Sequence, residues 1–89
     1  MFGFLIKELA VAVLGGLLVY TVVKVTREAI VNKVKETYAA AFKAKIKEKK
    51  QNAVKVGIFG ENDYHMGDFE IKGEKGVASD LYVGQVIYV

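Results

Sequence analysis

The chain has 89 residues, is 53% hydrophobic, carries 13 Lys/Arg against 10 Asp/Glu, and contains neither cysteine nor proline. That length holds no more than one small domain plus an anchor, and the lack of cysteine excludes disulfides and thiolate metal sites. Charge is segmented: residues 24–50 sum to +6 and residues 51–89 to −3, so an apolar stretch is followed by a basic one and then an acidic one.

Residues 1–25 are nearly continuously apolar, and Leu9 to Val23 contains no charge. Taken as a helix, Phe2 to Val23 reaches about 33 Å, enough for a hydrocarbon layer of about 30 Å. Lys7 and Lys24 can snorkel to its two sides. The stretch therefore predicts the membrane-spanning part of a long helix. No basic n-region or small-residue cleavage site marks it as a cleavable signal. Within it, Ala12, Gly15 and Gly16 form a smooth patch suited to close helix packing.

Residues 26–51 place Ile30, Val34, Tyr38, Phe42 and Ile46 four apart, which predicts that the helix continues as a basic amphipathic rod. Tyr38, Phe42 and Ile46 are the expected assembly contacts. Lys43, Lys45, Lys47, Lys49 and Lys50 are the candidate contacts for an anionic partner, either nucleic acid or anionic lipid. The plain alternative is a solvated helix end, where cations suit the macrodipole.

After Asn52 the period changes to two. Val54, Val56 and Ile58 alternate with Ala53, Lys55, Gly57 and Phe59, Gly60 to Asp63 reads as a turn, and Phe69 and Ile71 alternate with charges. Gly73 to Gly76 is a second turn, and Val77–Tyr82 and Gln85–Val89 read as further strands. Residues 52–89 thus predict a small antiparallel head of three or four strands. The apolar terminal strand, with Val86 and Tyr88, calls for a cover. The whole is an α+β chain: one long N-terminal helix, then a small sheet.

Catalytic signatures are missing from the sequence. His65 is the single histidine and reads as a turn-edge residue; the glycines form no phosphate-binding loop, and the acids lack calcium-loop spacing. No cofactor or metal site and no enzymatic activity are expected.

The start, Gly3-Phe4-Leu5-Ile6-Lys7-Glu8-Leu9, resembles the processing site of type IV pilins and pseudopilins. The resemblance implies cleavage after Gly3, Phe4 as the new N-terminus, and Glu8 as a membrane-buried carboxylate that pairs with a neighbouring subunit's terminal amine. It also implies a filament and an extracellular head.

These readings converge on a non-enzymatic, single-pass membrane structural subunit that packs into a larger assembly. That assembly would be a membrane complex, a membrane-containing virion layer or a filament, built as a homo-oligomer or with other subunits. A pilin-like filament subunit is the alternative, and a membrane tether that binds nucleic acid or anionic lipid through its lysines is a further one. Lys24, Arg27, Lys33 and Lys35 lie just past the apolar run, so the positive-inside rule places rod and head in the cytoplasm.

Overall fold

A computed structural model describes residues 8–14 and 16–89. Six strands form one mixed sheet, in the order β1-β2-β5-β4-β3-β6. The strands are β1 (Glu8–Leu14), β2 (Leu17–Val22), β3 (Lys43–Lys49), β4 (Ala53–Phe59), β5 (His65–Gly73) and β6 (Val86–Tyr88). Among the described residues one α-helix, α1 (Arg27–Thr37), stands between β2 and β3, and a 3-10 turn covers Glu61–Asp63.

The expected long N-terminal helix is replaced by a β-hairpin. Strands β1 and β2 pair antiparallel, with Leu14 opposite Leu17, and Gly16 sits in the turn between them. Gly16 has φ +84°, a backbone state that glycine enters without steric cost. A Gly-Gly pair between two β-branched runs is a hairpin signal. Strand β2 is interior, paired on one side with β1 and on the other, in parallel, with β5.

Helix α1 has 11 residues and spans about 16 Å. No helix among the described residues is long and apolar enough to cross a membrane, which overturns the single-pass span and the topology drawn from it. The helix begins at Thr26, whose hydroxyl accepts from the Ala29 N–H at 3.1 Å, and Glu28 sits in its first turn. It stops at Tyr38, although three alanines follow. There the N–H still donates to the Val34 carbonyl, but φ −133° and ψ 89° redirect the chain toward β3. Core placement overrides helix propensity at this point, because Ala44 and Ile46 are both fully buried as alternate residues of β3.

One face of the sheet and the helix share the core. Leu18, Tyr20 and Val22 of β2 lie beside Phe69 and Ile71 of β5; next come Val54, Val56 and Ile58 of β4, then Ala44 and Ile46 of β3, and Ile87 of β6. Ile30 and Val34 of α1 cover them, with Val25 and Leu81 closing the sides. Tyr20 meets Phe69 edge to face, its centroid 5.4 Å away, and its hydroxyl bonds the Thr37 hydroxyl. Lys33 is buried with its Nζ 5.0 Å from the Tyr20 ring and 3.2 Å from a Glu36 oxygen. Residues 77–82, expected as a strand, contribute only an isolated bridge between Val25 and Val77.

Candidate ligand-binding face

Because side chains alternate along a strand, the residues between the core positions form the opposite face of the sheet. Two rows cross it at the end near β6. In the first, Tyr88, Lys43, Phe59 and His65 are register partners across β6, β3, β4 and β5. In the second, the partners are Val86, Lys45, Gly57 and Asp68.

Gly57 leaves a gap in the second row that its neighbours fill. A Cβ there would sit 3.0 Å from Asp68 Oδ1, 3.0 Å from Lys47 Cδ and 3.3 Å from Phe59 Cε1. The Phe59 and His65 rings lie 5.2 Å apart, tilted by 41°. His65 Nε2 is 2.9 Å from Asp68 Oδ1, and Lys47 Nζ is 3.4 Å from the same oxygen. Burial pushes the Asp68 carboxyl up, but the His65 hydrogen bond and the Lys47 and His65 charges outweigh it and hold the group below its ordinary value. Lys43 pairs with Asp63, and that hydrogen bond raises its ammonium above the usual lysine value.

Lys45 differs from its neighbours. It is exposed, and no carboxylate lies within ion-pair distance of it among the described residues. Two shallow depressions flank it. One, of about 250 Å³, is lined by Lys43, Lys45, Phe59, Asp63 and Val86. The other, of about 410 Å³, is lined by Lys45, Ile46, Lys47, Phe59, Val83 and Gly84. Tyr88 (66% exposed), Val86 (40%) and Val83 (59%) form an apolar rim beside the lysines.

The lysine cluster expected on a helix is therefore divided by a strand. Lys43, Lys45 and Lys47 share the open face, where a bulge between Ile46 and Glu48 shifts the register. Lys49 turns away, donating to the Leu81 carbonyl at 2.7 Å, and Lys50 lies 3.9 Å from Glu70 Oε1. Of the expected assembly residues, Ile46 is in the core and Tyr38 is half-buried with its hydroxyl against Gly67; Phe42 is 58% exposed. Val86 and Tyr88 lie on the open face. Ala12 and Glu8 belong to β1, opposite Val19 and Val22, and Gly16 forms the turn. The small-residue patch is thus no helix-packing surface. Phe4 and Gly15 fall outside the described residues.

Sequence reasoning missed Phe59, His65, Asp68 and Gly57 as parts of this face. The available signal was Phe59, a ring on the polar side of an otherwise alternating strand. No group of three or more metal-ligating side chains is gathered among the described residues. The chain matches no known family, no characterised protein and no solved structure.

Proposed function

We propose that this protein is a non-enzymatic binding module that holds a phosphate-bearing polyanion on the open face of its sheet. The observation that carries this reading is the uncompensated Lys45, set between Lys43 and Lys47 on one strand face. Alternate residues of a strand repeat at about 7 Å, so the three ammonium groups form a ridge with the repeat of an extended polyanion rather than a single anion pocket. The paired acids Asp63 and Asp68 hold the two outer lysines in place and leave the middle one for a ligand.

Retention on immobilised polyanions tests this. Binding should fall with added salt, and Lys45→Gln should reduce the slope of log affinity against log salt by about one. Lys75→Gln, in the turn past the end of β5 away from His65, should leave the slope unchanged. Salt-insensitive binding, or equal effects of the two substitutions, overturns the proposal.

A second reading, assembly into a larger structure, is favoured by β1. It borders the sheet, is seven residues long, and runs Leu9 to Leu14 without charge or proline, the devices that usually keep an edge strand from pairing. Concentration-dependent mass by light scattering tests it: a constant monomer mass refutes it.

A further inference from the structure

We infer that the polyanion is single-stranded nucleic acid, with bases stacked on Phe59 and Tyr88 and the phosphate that joins them held over Lys43 and Lys45. This rests on the polyanion reading above and adds the rings to it.

Two rings and a cation are interleaved in one row. Tyr88 and Phe59 flank Lys43 as its register partners on the two neighbouring strands, so their Cα atoms stand about 10 Å apart, two strand spacings. Lys45 lies one step along β3, offset to the same side of both rings. The Phe59 ring is supported from beneath, by bare Gly57 and by the tilted His65 ring, which leaves its other surface toward the depressions around Lys45. Tyr88 is mostly exposed, so core packing does not account for an aromatic residue there. Val86 extends the apolar floor along β6 beside Tyr88, opposite Lys45.

A duplex would present phosphates alone to this surface and make no use of its rings. A lipid surface would need an apolar element that enters the acyl region, whereas this patch is a sheet face with carboxylates interspersed at Asp63 and Asp68. Unpaired bases satisfy both halves of the chemistry, because stacking works for any base and the lysines take the backbone.

Fluorescence anisotropy of the full chain with a labelled oligothymidylate of about 12 nucleotides tests the inference, with duplex DNA, heparin and phosphatidylserine vesicles as competitors. Phe59→Leu and Tyr88→Leu should each weaken oligonucleotide binding roughly 5- to 100-fold while heparin binding stays within about twofold. Phe59→Tyr, which keeps a ring, should restore affinity, and circular dichroism melts check that each variant is folded. Equal binding of all polyanions with no effect of the ring substitutions overturns the inference and leaves the polyanion reading standing. Preference for vesicles or for duplex overturns it in favour of those ligands. Absence of salt-dependent binding to every probe overturns both readings together.

Discussion

Replacing Gly16 by alanine separates a strand hairpin from a continuous helix by the sign of its effect. In the structure Gly16 has φ +84°, and a Cβ built there meets nothing within 4 Å. No clash contributes, so the cost is the backbone state alone, about 1–2 kcal/mol for an L-residue. Alanine recovers about 0.4–1 kcal/mol by restricting the unfolded chain. The net loss is up to about 1.6 kcal/mol, and at about 4–8 °C per kcal/mol for a domain of this size the melting temperature should fall by up to about 13 °C. Inside a helix the same change would stabilise by about 0.8–1 kcal/mol and raise the melting temperature. Gly16→Asn should lose less than Gly16→Ala, since asparagine tolerates positive φ. Differential scanning calorimetry, supported by urea denaturation at constant m-value, gives the answer. A higher melting temperature for Gly16→Ala refutes the hairpin.

Gly73→Ala should destabilise by about 1–3 kcal/mol, because its Cβ would overlap the Gly76 carbonyl and lie 2.8 Å from the Val25 backbone nitrogen; a urea midpoint equal to wild type refutes the close approach. Phe69→Ala, at a fully buried ring packed on Tyr20, should cost about 3–5 kcal/mol, with near-ultraviolet dichroism of the tyrosines lost at lower denaturant than in Phe69→Leu. Asp68 has a lowered folded pKa, so its contribution is complete above the unfolded value near pH 4 and is lost as pH falls through the folded one. Asp68→Asn should therefore be less stable at neutral pH and lose less stability on acidification; acid limbs that superimpose on wild type count against the His65 and Lys47 contacts. Thr26→Ala should lower stability by about 0.5–2 kcal/mol through the lost helix cap, measurable by the same denaturation.

The second half of the chain was the easier to read. Val54, Val56 and Ile58 alternate because they point into the core while Lys55 and Phe59 lie half-buried on the other face, and the segment Gly60–Asp63 is the connection between β4 and β5. The first half misled for physical reasons. Apolar residues stand at buried or half-buried positions on both faces of β2, so Leu17–Val22 shows little polar alternation and has the composition of a membrane helix. The spacing of Phe42 and Ile46 by four is even, and an even spacing fits strand and helix alike. The lysines at 43, 45, 47 and 49 alternate with Ala44, Ile46 and Glu48, a period of two that the helix reading set aside. As for the open face, its lysines were identifiable as a group. The partnership of Lys43 with Phe59 and Tyr88 was not, because it depends on register between strands far apart in sequence.

The parallel ladder between β2 and β5 joins Leu18 to Phe69 and Val22 to Gly73, positions about 50 residues apart. During synthesis the amino-terminal hairpin therefore waits for its docking partner while the intervening segments are translated, roughly 3–10 s at ordinary elongation rates. Throughout that interval its greasy ribbon is bare, which makes ribosome-associated chaperones the natural guardians of the nascent chain. The hairpin is made before the strand it docks on and is among the last elements to find its place.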